Sequence, residues 1–418
     1  MRGGTRWGFG YGSGMIYQVA VIGSGAAGMM AALSAAQLGS VVILTDRTLG
    51  KSNSAMAQGG LQCPFPSAES ETSFVADIQR SARVPLNDGL LRAFAREVRP
   101  TVQVLESLGL ILDKNESGEW SRRTAGGLSE PRVIGTSDRI GPVLIKSLRD
   151  AILRAGLQIM ERSKVTDLSF HAGVWRLTTA AASVVEARAI VVATGGSAYA
   201  HAKELGGWTT NPANENESLP AILRRVGLEE VHADYFQYQP FGMLLGAKDG
   251  FGKAFPERIL GFPIRILDRH GQVILDRGER PDRLELCERM IQHEKAGAAI
   301  EDGMGNQGFH LILDQVPPST LEAEFPAALA HIKKHGGLGS PLLIRPFLHY
   351  HLGGFKMDVD CQSSRPGLFL AGEVTGGLHG RNRLMGNGLT DSIVHGRRAG
   401  RNAALFAKST GMPHVGAQ

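Results

Sequence analysis

A short β-branched run, Ile16 to Ile22 (IYQVAVI), leads straight into Gly23-Ser-Gly25-Ala26-Ala27-Gly28. The run reads as a buried parallel strand. The residues after it, MMAALSAAQLG, have the Ala/Leu content and spacing of a helix, with Gly39 as its C-cap. Ser40 to Asp46 (SVVILTD) is a second strand. Strand, glycine turn and helix in this order make a βαβ unit. Gly23 permits the tight turn, Gly25 lets backbone approach a pyrophosphate, and Gly28 lets helix and strand pack closely. The helix N-terminus, at Ala26 and Ala27, offers N–H groups and partial positive charge to phosphates. An acidic partner for a ribose is expected about 20 residues further on. Thr45 and Asp46 stand there.

The rest of the chain bounds the class. It has 418 residues, net charge +5, 43% hydrophobic and 20% charged residues. Those values are near the globular average, which excludes a disordered or fibrous protein. The length suggests two or three domains. No apolar run reaches the roughly 18 residues of a membrane span. Cys63, Cys287 and Cys361 lie far apart and form neither a disulfide framework nor a zinc spacing, which points to a reducing compartment. Lys and Arg are spread without basic blocks, so no nucleic-acid partner is expected. Residues 1–14 lack the apolar core of a signal peptide and read as a disordered tail. A cytoplasmic location is expected.

Helical patterns run from Asn87 to Leu108 and from Asp138 to Gly156. A strand follows at Gln158 to Glu161, then a meander at Val165 to Phe170, Val174 to Thr179 and Val184 to Ala187. Ala189 to Gly196 (AIVVATGG) is read as a separate buried strand ending in a glycine turn. From about Val231 to Pro346 the chain has more charge, more Pro and irregular strands, with a turn at Arg269 to Gly271. Leu368 to Gly377 (LFLAGEVTGG) returns to the strand-and-glycine pattern, and a helix from Leu389 to Lys408 follows. This is an α/β nucleotide-binding fold interrupted by a more polar insert.

The first glycine motif alone does not separate NAD from FAD. Two later segments favour FAD: Ala193-Thr194-Gly195-Gly196 and Ala371-Gly-Glu373 each end a buried strand. Ser52 to Gly60 (SNSAMAQGG), His349 to Gly354 (HYHLGG) and Ala371 to Leu389 (AGEVTGGLHGRNRLMGNGL) together resemble one family. It is that of the fumarate reductase and succinate dehydrogenase flavoproteins and L-aspartate oxidase. The resemblance covers about Ile16 to Phe406, without the family's C-terminal helical domain.

The resemblance implies a Rossmann-like two-dinucleotide FAD domain, residues 15–230 and 347–418, with an inserted α+β capping domain, residues 231–346. It implies FAD contacts from the first glycine motif and from Ser52, Asn53, Ser54, Ala57, Gly59 and Gly60. Further contacts are implied at Val165, Ala193, Thr194 and Gly195, with Glu373 on the ribitol and Asn387, Gly388 and Leu389 opening a helix toward the flavin N1/O2 edge. Asn53 stands where membrane-complex members carry the histidine that bonds FAD, so the flavin is expected to be non-covalent. Arg283 matches the family's proton-transferring arginine and Glu257 the glutamate beside it. His349 and Arg383 match the grip on one substrate carboxylate. The second carboxylate site departs from the family pattern. Gln239 stands for a histidine, Pro256 for a threonine and Leu260 for a relay arginine, while Arg381 is an extra cation beside Arg383.

These residues suggest an FAD oxidoreductase acting on a CH–CH or C=C bond beside a carboxylate, with fumarate itself disfavoured. Alternatives are an L-aspartate oxidase-like amine oxidase and a flavin electron-transfer subunit. No metal site is expected. Electrons must go to or come from another molecule, such as an iron–sulfur subunit.

Overall fold

The computed structural model describes residues 15–213, 218–336 and 341–411. The proposed tail, residues 1–14, lies outside them. The central sheet is built on the parallel pairing of Ile16–Ile22 with Val41–Leu44 on one side and Val184–Val192 on the other. Gln158–Met160 extends it beyond Val41–Leu44. The β-branched residues Val19, Val21, Val42, Ile43, Val191 and Val192 are fully buried, as parallel strands covered on both faces require.

Val184–Val192 is one strand, not the two expected. Its first half pairs antiparallel with Val174–Thr179, and its second half pairs parallel with Leu368–Leu370. The alternation of Val184 to Ala187 gives way to the continuous apolar run of Ile190 to Val192 because the partner on that edge changes. Pattern switching within one strand therefore looks like a boundary.

Helix Ala26–Ala36 crosses the final helix, Asn387–Gly411. Gly396 and Gly400 make the crossing possible: a Cβ there would lie 2.4 Å from the Ala27 carbonyl oxygen and 2.1 Å from that of Ala31. Gly39 has a different task from the expected C-cap. The helix ends at Ala36, and a Cβ on Gly39 would lie 1.4 Å from the Gln18 Oε1 atom. That Oε1 accepts from the Ser40 backbone N–H at 3.0 Å, so Gly39 leaves room for a side-chain clasp between strand and turn.

A second core lies in the inserted region. Phe241, Phe255, Ile266, Leu286, Phe309, Phe325 and Ile344 pack there with other buried residues. Its sheet runs Phe236–Met243, Leu342–His351, Gln307–Ile312, Arg265–Leu267 and Val273–Leu275, with antiparallel pairing throughout. The ten-residue strand Leu342–His351 delivers His349, Tyr350 and His351 from this core to the edge of the first. Among the described residues no helix is long and apolar enough to cross a membrane.

Candidate active site

The parallel strands end together at Ile22, Leu44, Val192 and Leu370. A cleft opens outside these carboxyl ends, where ligands bind in open α/β sheets. It has two lobes that share Asn53, Ser54, Ala55, Met56 and Glu373.

The smaller lobe, about 330 Å³, is lined by Gly23, Gly25, Ala26, Ala27, Thr45, Asp46, Ser52, Ala193, Thr194 and Gly195. Gly23 has φ +110, and a Cβ there would lie 2.3 Å from the Ala193 carbonyl oxygen. A Cβ on Gly28 would lie 2.0 Å from the Gly23 carbonyl oxygen. Gly25 caps the helix without a side chain, and no acidic residue occupies the first turn. The Ala26 N–H donates to the Ser54 hydroxyl at 3.3 Å, and the N–H groups of Ala27 and Gly28 behind it face the site where an anionic ligand would bind. The Thr45 hydroxyl is tied to the Ser24 hydroxyl at 2.9 Å. Val165 sits buried in strand Val165–His171 and lines neither lobe.

Glu373 bridges the lobes. Its Oε1 accepts from the His351 backbone N–H at 2.9 Å, and burial pushes its carboxyl up to about 7. A Cβ on Gly196 would lie 2.6 Å from the same oxygen, so glycine is needed beside it. Gly388 and Leu389, at the start of helix Asn387–Gly411, line the larger lobe. The Asn387 amide is wholly buried, and neither of its polar atoms has a partner among the described residues. An elongated dinucleotide with a polar ring edge fits this donor set. FAD would be held by the glycine turn, Asp46, Glu373 and the Asn387–Leu389 helix start.

The larger lobe, about 410 Å³, gathers Gln239, Glu257, Arg283, His349 and Arg383, together with Ala57, Gly59 and Gly60. Arg283 is the first residue of helix Arg283–Lys295, whose N-cap Asp282 accepts from the Glu285 N–H at 2.9 Å. The Arg283 Nε donates to Glu257 Oε2 at 2.6 Å, and Nη1 donates to Gln237 Oε1 at 2.7 Å. Gln237 in turn donates to the Arg383 carbonyl and to Asn382 Oδ1, each at 2.9 Å. Gln237 thus ties the proton-transferring candidate to the clamp loop, a role absent from the sequence expectations. Strand periodicity is the signal that could find it: Gln237 and Gln239 are two apart on strand Phe236–Met243 and share a face.

Arg383 is buried with its guanidinium 4.3 Å from the Tyr350 ring centroid. Its Nε has no partner among the described residues, and burial followed by the charge of Arg283 lowers it to about 10. It stays cationic at neutral pH. The His349 Nδ1 meets the Thr210 hydroxyl at 2.6 Å. Burial, then the charges of Arg283 and Arg383, hold His349 well below its ordinary value, so the ring is neutral. Thr210 and Asn211 were not expected; Asn211 donates to the His349 carbonyl at 2.9 Å and accepts from the Asn53 amide. Gln239 is buried, with Oε1 unpartnered among the described residues.

Arg381 does not join them. It is exposed, does not line the cleft, and lies 4.6 Å from the Tyr235 ring centroid. Its backbone N–H is fixed to the Ala82 carbonyl at 2.8 Å.

A glycine-turn βαβ unit, a two-lobed cleft and a buried cationic pocket define a dinucleotide-binding oxidoreductase. Residues 18–389 match the family described as "FAD binding domain", and the chain belongs to that family. It is an FAD-dependent oxidoreductase of the fumarate reductase and succinate dehydrogenase flavoprotein type. It is similar to a fumarate reductase (CoM/CoB) subunit of Methanothermobacter marburgensis, at 27% identity over 95% of this chain and 74% of that one. It is also similar to L-aspartate oxidase of Mycobacterium bovis, at 28% identity over 94% and 74%. An E. coli quinol fumarate reductase shares the fold, with TM-score 0.85, 22% identity, and coverage of 96% of this chain and 72% of that one. So does 3-ketosteroid Δ1-dehydrogenase of Sterolibacterium denitrificans, with TM-score 0.68, 14% identity, and coverage of 93% and 99%.

Proposed function

We propose that the protein transfers a hydride between FAD and a carbon–carbon bond adjacent to a single carboxylate. FAD, bound non-covalently, supplies or accepts the hydride. In the direction of reduction, Arg383 and His349 grip the carboxylate and draw electron density toward it, preparing the β-carbon for hydride. Arg283 gives its proton to the α-carbon, which completes the C–H pair. An arginine is a weak acid, with a pKa above about 12. Glu257, bonded to the Arg283 Nε at 2.6 Å, is placed to exchange that proton. The second substrate group meets Gln239 and Pro256, which carry no charge.

The observation that carries this reading is the charge of the pocket. Arg283 is balanced by Glu257, whereas Arg383 has no carboxylate partner in an ion pair among the described residues. Of the two buried arginines in the lobe, one is therefore left for one carboxylate; Arg139 and Lys253, which also line it, are exposed at its outer wall. The same layout supports dividing the chain into an FAD domain of residues 15–230 and 347–418 and a cap of residues 231–346. Two relatives are named as subunits, which favours electron exchange with a separate partner. The likeness to L-aspartate oxidase keeps amine oxidation as a second reading, marked by hydrogen peroxide release with amino acids. Arg283→Ala tests the main reading. Turnover should fall at least about 10²-fold, the lower range for general acid catalysis, with FAD content unchanged. Near wild-type turnover would remove Arg283 from the chemistry.

A further inference from the structure

A second cavity, about 650 Å³, adjoins the larger lobe of the active-site cleft. The two share Arg139, Phe251, Gly252, Lys253 and Ala327 as walls, so the second cavity borders the reacting lobe directly. Beyond the shared wall, the outer groove adds His331, Lys334 and His335. These come from separate parts of the chain: the cap of helix Ile140–Arg154, the loop after strand Phe236–Met243, and the end of helix Pro326–Lys334. No acidic side chain lines the groove among the described residues.

The cations have not found protein partners. Arg139, Lys253 and Lys334 are exposed, and none is in an ion pair among the described residues. Lys333, the neighbour of Lys334, does reach an acid, Glu322, at 3.8 Å, but it is not a wall of the groove. His331 is fixed by its Nε2 donating to the Leu245 carbonyl at 3.0 Å, and its ring centroid lies 4.7 Å from that of His335. The charges of Lys253, His335 and Lys334 add to burial in lowering His331. Unpaired cations lining one cavity focus field on whatever enters it.

We propose that this groove seats a second anionic group of the substrate, a carboxylate or a phosphate set several bonds beyond the reacting carbon–carbon bond. The assignment rests on the carboxylate-linked chemistry proposed above and extends it. The head carboxylate goes to Arg383 and His349, the uncharged middle passes Gln239 and Pro256, and the far anion lies among Lys253, Lys334 and Arg139. A four-carbon dicarboxylate is too short for this arrangement, because its second carboxylate falls in the uncharged middle.

Equilibrium dialysis on the FAD-loaded protein tests the groove without calling on turnover. The probes are saturated α,ω-dicarboxylates from pentanedioate to decanedioate, each paired with the monocarboxylate of equal chain length. At low salt the longer dianions should bind about tenfold tighter than their monoanions, since each exposed charge pair contributes little and three act together. The preference should shrink at high salt and vanish in Lys253→Ala/Lys334→Ala. A dianion preference in the wild type that survives both changes would overturn the assignment, as would equal binding of dianion and monoanion at every length, or no binding of either. If the preference behaves as stated but no 2-enoate turns over, the groove stands and the proposed reaction fails instead.

Discussion

Gln237→Leu isolates what holds the active site together. The substitution keeps volume and burial but removes three hydrogen bonds at once. One is the charge-assisted bond from Arg283 Nη1 at 2.7 Å; the others are the amide bonds to the Arg383 carbonyl and Asn382 Oδ1, each 2.9 Å. A hydrogen bond to a charged group contributes about 1.5–3 kcal/mol, and each neutral one about 1 kcal/mol. Only the first fixes the guanidinium proposed to deliver the proton. If it is lost from the transition state, kcat should fall about 10- to 150-fold. The two amide bonds act on the clamp loop, so their loss should raise KM. Gln237→Glu separates these effects, because a carboxylate still accepts from Arg283 but donates nothing to the loop. It should keep more of kcat while raising KM. Steady-state kinetics with the flavin spectrum as a measure of FAD content is the assay. Wild-type kcat in Gln237→Leu would refute the claim that Gln237 positions Arg283.

Acid precipitation should leave yellow flavin in the supernatant, as Asn53 in place of a bonding histidine predicts; colour that stays with the pellet contradicts it. Gly396→Val should destabilise the fold by at least about 1–3 kcal/mol through overpacking against the Ala27 carbonyl 2.4 Å away, read as a lower unfolding midpoint and weaker FAD retention. The pH dependence of stability has a definite sign. His349 is held well below its ordinary 6.5 in the folded state, so below pH 6.5 the unfolded chain binds the proton that the folded chain refuses. Stability from this group is therefore lost as pH falls from 6.5. Glu373, raised from 4.5 to about 7, acts in the opposite direction between those values. His349→Gln should lose less Tm than wild type on going from neutral to mildly acidic buffer, and an unchanged Tm slope would count against a neutral buried His349.

What the sequence disclosed followed from backbone constraint. Gly23 and Gly28 admit no Cβ, so the turn they make is visible as a spacing of glycines. Arg283, Glu257, His349, Arg383 and Gln239 were legible through the family resemblance, and they converge on one lobe of the cleft. Gly39 was misread because a glycine after a helix has two explanations, and only the position of the Gln18 side chain decides between them. Arg381 was misplaced for a similar reason: closeness in sequence to Arg383 says nothing about direction in an irregular loop. The outer basic groove left no trace in the chain. Arg139, Lys253 and Lys334 are separated by long stretches, and only the packing of helix Pro326–Lys334 beside the loop at Phe251 brings them together.

The central claim is that hydride transfer occurs beside a single gripped carboxylate. Its most direct test mixes anaerobically photoreduced protein with mono- and dicarboxylic 2-enoates and follows reoxidation of the flavin. Losing two charge-assisted contacts at about 1.5–3 kcal/mol each should weaken the handling of a short second carboxylate by roughly 10²–10⁴-fold. The account predicts fast reoxidation by at least one 2-enoate whose β-carbon carries no carboxylate, and slow reoxidation by fumarate. Fumarate that reoxidises the flavin faster than every such enoate would contradict it.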